Sequence, residues 1–375
     1  MMEEGDFSSA HECGRAARMK WRVLHLANQV SDAGNGIINA MVDLACTQSD
    51  SGDEVAVASS GGEFETLLAR YGVKHFGLPS GGRTRAGLAG LAPVIRAIRR
   101  WDPDIVHAHM MTGALQGWLA KLVHRARLVT HVHNEFDRHA LLMGLGDRVI
   151  AVSASTARSL CRRGIPPRKL VTVCNGPLNS PRRSGGRPAE GCRRNPKQII
   201  TVAGMNPRKG IVTLIDAFTE VADTCPSASL VLVGDGPNRN EYELYASRTR
   251  HHNRIRFHGF IADPTSLLLQ SSIFVLASLR DPCPLVIAEA REAGCAIVAS
   301  DVDGIPEALD GGEAGLLVPP GDVAAFADCL RRLLSDPAEL TRRQVAAREN
   351  LGWLSVERVC REVAVVYDGM LTARE

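Results

Sequence analysis

The stretch Ile273 to Pro320, IFVLASLRDPCPLVIAEAREAGCAIVASDVDGIPEALDGGEAGLLVPP, decides how the rest of the chain is read. It opens on a short apolar run, Ile273 to Ala277, which reads as a buried parallel strand. Ser278 to Pro282 form a loop, and Pro284 suits the first turn of a helix because its missing N–H would be unpaired there anyway. The helix is expected from about Pro284 to Ala293, with Gly294 ending it. Asp281 then stands at the mouth of this corner and Glu289 on its wall, eight residues further on. The free N–H groups near Leu285 and Val286 make an anion site if the corner opens on a crevice. A second strand, Ala296 to Ala299, runs into a turn-rich loop carrying Asp301, Asp303 and Glu307. Two adjacent strand ends thus send polar loops to one side, where open α/β sheets bind ligands.

Working outward, the same alternation fills the chain. Upstream strands are expected at Arg22 to Asn28, Glu54 to Ala58, Lys74 to Leu78, Ile105 to Ala108, Arg127 to His133, Arg148 to Val152 and Leu170 to Cys174. Helices lie between them, including one from about Gly87 to Trp101 and one capped by Ser153 or Ser155. Residues 176–197, GPLNSPRRSGGRPAEGCRRNPK, are rich in Pro, Gly, Ser and Arg and read as a linker. After it the pattern restarts with strands at Gln198 to Ala203, Ser229 to Val233 and Arg254 to His258. Helices near Val323 to Leu334, Ala338 to Glu349 and Ser355 to Met370 close the chain. A β-α-β-α order implies doubly wound parallel sheets with right-handed crossovers. The expected division is a disordered leader at 1–19, an N-terminal Rossmann-like acceptor-side domain at 20–176, a linker at 177–197, a C-terminal donor domain at 198–352, and a helix at 353–375 that can pack back on the first domain.

At 375 residues the chain is too long for one ordinary core and suits two. Ten scattered cysteines with no C-x-x-C pair read as reduced thiols, which favours a cytoplasmic protein over a disulfide framework. Glu3, Glu4, Asp6 and Glu12 with no apolar run exclude a secretory signal in the first nineteen residues, and Met19 is an alternative start. No stretch approaches the roughly 20 apolar residues of a membrane span. Residues 1–180 carry 21 Lys/Arg against 16 Asp/Glu, whereas residues 195–375 carry 18 against 24. The basic first half suits a solvated face, peripheral contact with an anionic membrane, or an anionic acceptor.

Two further features carry chemistry. The first strand ends in a loop containing Gly34, Asn35 and Gly36 ahead of a helix, a phosphate-cradling arrangement. His107 with His109, and His131 with His133, repeat an i, i+2 pattern at neighbouring strand ends. Such pairs can hold a metal or simply hydrogen-bond their loops, and both readings stay open.

The motifs DIVHAHM, VIAVSAS, VTVCNGPLN, KGIVTLIDAF, LVGDGP and IRFHGFI, and above all Asp281-x7-Glu289 followed by DGIPEAL and GLLVPPGD, occur in an order that resembles family four of the retaining nucleotide-sugar glycosyltransferases. The resemblance covers the chain after residue 19. It implies the GT-B fold, two facing Rossmann-like doubly wound domains with a ligand cleft between them. It also implies transfer of a sugar from a nucleotide-diphosphate sugar to a saccharide or lipid-linked acceptor hydroxyl, in glycan, polysaccharide or glycolipid synthesis, with no metal or other cofactor and no nucleic-acid partner.

By the same resemblance, His109, Asp281 and Lys209 are the catalytic candidates. Gly36, Arg208, Lys209, Pro284, Leu285, Val286 and Glu289 bind the donor, with Asn35 and Glu307 as further contacts. Within these, Glu289 matches the acid that binds the nucleotide ribose, Lys209 the cation that neutralises the leaving diphosphate, and His109 the histidine that faces the reacting sugar. The sequence departs from the family where Asp281 replaces a glutamate, where Met205 stands for an arginine of the phosphate loop, and where Asn35 and Asp303 each replace one glycine of a pair. Rival readings are a nucleotide-sugar epimerase or hydrolase on the same fold, a metal-dependent hydrolase using the four histidines, and a noncatalytic nucleotide-sugar- or polysaccharide-binding protein.

Overall fold

Alternating buried apolar runs and amphipathic helices build two parallel sheets in the computed structural model, which describes residues 20–79, 90–183 and 193–371. The first sheet comprises β1 (Arg22–Leu26), β2 (Glu54–Ser59), β3 (Lys74–Gly77), β4 (Ile105–Ala108), β5 (Arg127–Val132), β6 (Arg148–Ala151) and β7 (Leu170–Thr172), in the order β3-β2-β1-β4-β5-β6-β7. The second comprises β8 (Asn195–Val202), β9 (Ser229–Val233), β10 (Ile255–Gly259), β11 (Ser271–Leu276), β12 (Ala296–Ser300) and β13 (Leu316–Val318), in the order β10-β9-β8-β11-β12-β13. Each order reverses direction beside the strand that opens its domain, at β1/β4 and at β8/β11. Those are the switch points at which a crevice opens beyond the strand ends. The expected leader 1–19, the start of the Gly87 helix and part of the linker, 184–192, lie outside the described residues.

β11 and β12 are buried along their whole length, as a central parallel strand covered on both faces requires. Their core is one apolar cluster including Phe218, Phe274, Phe326 and Leu330. The first sheet divides its apolar contacts between its two faces. One face packs Leu24, Val106, Leu128 and Val149 with Ile98 and Trp101. On the other, Val23, Ile105, Val129 and Ile150 meet Val359, Val363, Tyr367 and Met370. The latter four belong to the last helix, Val356–Leu371, so the end of the chain returns to complete the core of its beginning.

The expected elements omit the four-residue helix Ile305–Ala308, the short edge strand β13 and the helix Arg239–Ser247 (RNEYELYAS). The last of these buries only Tyr242 and Ala246, so its apolar stripe is too thin to stand out by periodicity. Ser153, rather than Ser155, caps Ala154–Arg162, its Oγ accepting the Thr156 N–H at 3.1 Å.

Candidate active site

The ligand edges of the two sheets face one another across a cleft of about 840 Å³. That volume lies in the range of small-molecule and cofactor sites, roughly 300–1,000 Å³. Two helix N-termini point into it. The helix Gly36–Asp50 is capped by Asn35, whose Oδ1 accepts the Ile37 N–H at 3.0 Å. Across the cleft, Leu285–Glu292 starts from Pro284 with no side-chain cap. Neither first turn carries an acid, so the positive end of each helix faces the cleft uncancelled by its own residues. A Cβ added at Gly36 would meet only Leu285 Cδ1, at 3.8 Å, so this glycine leaves open space where a ligand backs onto the helix.

The loop after β8 supplies the cations. Gly210 has φ 62°, and a Cβ there would lie 1.9 Å from the Ala277 carbonyl oxygen. Only glycine tolerates both the left-handed backbone and that approach. This close seating on the end of β11 sets Lys209 beside Asp281, Nζ to Oδ2 at 2.5 Å, with both side chains largely buried. Ser278 Oγ donates to the same carboxylate oxygen at 3.3 Å. Asp281 therefore does not cap the following helix; it holds the lysine. Arg208 also lines the cleft, while Met205 is fully buried in the C-domain core and brings no charge.

Asp303 explains how an acid occupies a glycine position. Its backbone is left-handed, φ 50°, and its side chain accepts the Asp281 N–H at 2.9 Å and pairs with Arg280 at 2.9 Å. Asp is among the residues that tolerate this conformation, and here its carboxylate braces the loop that carries Asp281. Arg280 in turn lies 4.2 Å over the ring of Phe136, a contact between the domains.

Glu289 lines the cleft half-buried, and burial pushes its carboxyl above the usual range, with Arg183 and Arg182 pulling partly back. Those two arginines are the main site residues that sequence reasoning missed, because composition assigned them to a linker. Arg182 is fixed by a bidentate pair with Asp43, at 2.9 and 2.8 Å, and Arg183 bonds Glu292 at 2.7 Å. Arg-Arg inside a Pro/Ser segment was the available signal, but their acidic partners lie more than a hundred residues away in sequence.

Two expected contacts sit elsewhere. Glu307 accepts the N–H groups of Ala154 at 2.9 Å and Ser155 at 3.1 Å. It thus caps a helix of the other domain instead of lining the cleft. His109 is 2% exposed, with Nε2 2.9 Å from His25 Nδ1 and Nδ1 3.1 Å from His133 Nε2. It lies beneath the cleft wall, and His133 is the histidine that lines the cleft. The i, i+2 pattern held both His109 and His133; Ala108 is paired with Thr130, so His133 stands two residues nearer the rim than His109.

Two parallel-sheet domains with their ligand edges turned on a shared cleft define a GT-B protein. The chain belongs to the family-four glycosyltransferases: residues 34–176 match the description "Glycosyltransferase Family 4" and residues 196–336 match "Glycosyl transferases group 1". It is 28% identical over 274 residues to a glycogen synthase of Mycobacterium tuberculosis, covering 68% of this chain and 65% of that protein. It is 26% identical to a phosphatidyl-myo-inositol mannosyltransferase of Mycobacterium leprae, covering 74% and 77%. In fold it is similar to Anabaena HepE, solved in complex with UDP and glucose, with a TM-score of 0.76 at 22% identity over 93% of this chain and 99% of that one. No helix among the described residues is long and apolar enough to cross a membrane.

Proposed function

We propose that this protein transfers a sugar from a nucleotide-diphosphate sugar to an acceptor hydroxyl with retention at the anomeric carbon. The observation that carries this reading is the buried Lys209–Asp281 pair between two uncancelled helix N-termini. Such a corner binds a diphosphate and stabilises the charge that grows on it as it leaves. Glu289 takes the ribose hydroxyls, and backbone groups at Pro284 to Val286 hold the sugar or the phosphate nearest it. Asn35 and Gly36 approach the diphosphate from the opposite wall, with Arg208 beside Lys209. Asp281 orients Lys209 and meets the donor sugar. His109 acts from behind His133, which it holds by the 3.1 Å contact.

The bond between the anomeric carbon and the diphosphate oxygen breaks while the acceptor oxygen bonds that carbon on the same face. The acceptor proton passes to the departing diphosphate, so no side chain serves as nucleophile. Positioning and charge stabilisation supply the catalysis. HepE, solved in complex with UDP and glucose, supports a nucleotide donor. The glycogen synthase and mannosyltransferase relatives support a polysaccharide or glycolipid product. The basic first half supports peripheral attachment at the inner face of an anionic membrane, where a lipid-linked acceptor would sit.

The test is a thermal-shift screen of nucleotide sugars, followed by turnover of the stabilising donor with and without saccharide acceptors. Acceptor-dependent release of nucleotide is expected. Equal release without acceptor would favour a hydrolase, and stabilisation without turnover a binding protein.

A further inference from the structure

Five histidines, His25, His107, His109, His131 and His133, stack beneath the cleft wall with neighbouring ring centroids 4.2–5.5 Å apart. Most of this stack is explained by hydrogen bonds. Gln48 Nε2 donates to Tyr367 Oη at 3.2 Å, which turns Gln48 Oε1 toward His25 Nε2 at 2.8 Å. His25 Nε2 therefore carries the proton and its Nδ1 accepts from His109 Nε2–H, leaving a lone pair on His109 Nδ1 aimed at His133 Nε2. His131 has no such account. It is 2% exposed, and neither of its ring nitrogens has a partner. A wholly unpartnered buried imidazole is rare unless something else binds it.

We propose that His109, His131 and His133 form a binding site for one transition-metal ion of the zinc type, held under the cleft wall at the ends of β4 and β5. One ligand atom from each lies within 4.8 Å of the others, and the His109 Nδ1 to His133 Nε2 distance is 3.1 Å. Zinc–nitrogen bonds of roughly 2.0–2.1 Å place tetrahedral ligand nitrogens about 3.3 Å apart, so the ligand atoms need draw together by about 1.5 Å at most. The chain from Gln48 through His25 is the outer support such a site needs, since it fixes the tautomer that leaves His109 Nδ1 free. His133 meets the ion by keeping its proton on Nδ1. Burial among one another favours the neutral imidazole, the form whose lone pair binds a metal. An all-imidazole set with no carboxylate selects zinc, cobalt, nickel or copper over magnesium, calcium or manganese. His133 lines the cleft and marks the entry path. The other group of three, His25, His107 and His109, is the poorer site because both His25 nitrogens are already engaged.

The full-length chain, stripped with a chelator and titrated with zinc chloride or cobalt chloride, tests this without any sugar substrate. The expected result is one equivalent per chain by elemental analysis, with cobalt giving the visible bands of a four-coordinate site of three imidazoles and a water. His131→Asn should lose the equivalent, and Gln48→Leu should weaken it by about 10- to 100-fold through the outer support. His107→Asn should keep it. If wild type takes up neither metal, or if folded His131→Asn binds as much as wild type, the site does not exist. Should His131→Asn fail to fold, the cobalt spectrum of wild type decides, and six-coordinate bands would place the ion on surface histidines and overturn the proposal.

Discussion

Lys209 and Asp281 form a buried ion pair 2.5 Å long at the centre of the cleft, each supplied by a different strand end of the second sheet. A structural and a catalytic role for this pair make different forecasts. Removing one partner of a buried pair strands the other charge and costs about 3–5 kcal/mol, whereas removing both is often nearly neutral. Lys209→Met should therefore lower stability, and the double variant Lys209→Met/Asp281→Asn should recover most of it by urea denaturation. Turnover should not recover. If the lysine stabilises the leaving diphosphate, kcat stays down by roughly 10²–10³ in both variants. Recovery of kcat in the double variant would reduce the pair to a structural clamp.

Glu289→Ala should weaken donor binding roughly ten- to hundredfold, since a hydrogen bond from a hydroxyl to a carboxylate contributes about 1.5–3 kcal/mol. Calorimetry with a confirmed donor measures this. Unchanged affinity in a folded variant would remove the ribose role.

The same residue sets an acid limit on binding. Burial raises the Glu289 carboxyl above its ordinary range, and the nearby Arg183 and Arg182 only partly offset this. Between the ordinary and the raised value the native state holds more protons than the unfolded one, so this group's contribution to stability grows as pH falls and shrinks as pH rises. Donor affinity runs the other way because the ribose needs the ionised acceptor. Affinity in wild type should drop on acidification sooner than an exposed glutamate would cause, while Glu289→Gln should be weaker at neutral pH but flat with pH. A parallel acid decline in both proteins would assign it to another group.

Turnover is expected to need no added divalent cation. Asp301-Val302-Asp303 has the spacing of a D-x-D metal motif, yet Asp303 is committed to Arg280 and to the Asp281 N–H. The diphosphate charge falls to Lys209, Arg208 and the helix N-termini. Loss of turnover on chelation, restored by magnesium or manganese, would overturn this. An effect reversed only by zinc or cobalt points to the histidines instead, because imidazole sets do not favour magnesium.

The strands up to Ala299 could be read from the chain because a doubly covered parallel strand must be a continuous apolar run, as in Ile273 to Ala277 and Ala296 to Ala299, whereas the three-residue edge strand Leu316–Val318 is too short to stand out. That Asp281, Pro284 to Val286 and Glu289 line one corner of the cleft was legible for the same local reason: one loop and one helix fix their relative places. What failed was information that resides in distant partners. Arg182 looks like linker charge until Asp43 is beside it. Glu307 looks like a cleft acid until the helix at Ala154 presents its N–H groups. His109 and His133 differ only in how far the strand carries each toward the rim, which periodicity does not measure.

The helix Val356–Leu371 ties completion of the first sheet to a segment that follows the second domain. Tyr367 is fully buried against the first sheet, edge-on to Trp21 at 6.4 Å, and the Trp21 indole N–H bonds Asp368 at 3.1 Å. Domains emerging from a ribosome ordinarily fold first part first. Here the second domain, from β8 to Arg348, has all of its strands before the last helix is made, while the first waits with Val23, Ile105, Val129 and Ile150 uncovered until Val356–Leu371 is synthesised. The sheet translated first is thus completed by a helix that follows the second domain, and a nascent chain without Val356–Leu371 would display an open-faced sheet, the form in which a chaperone would meet it.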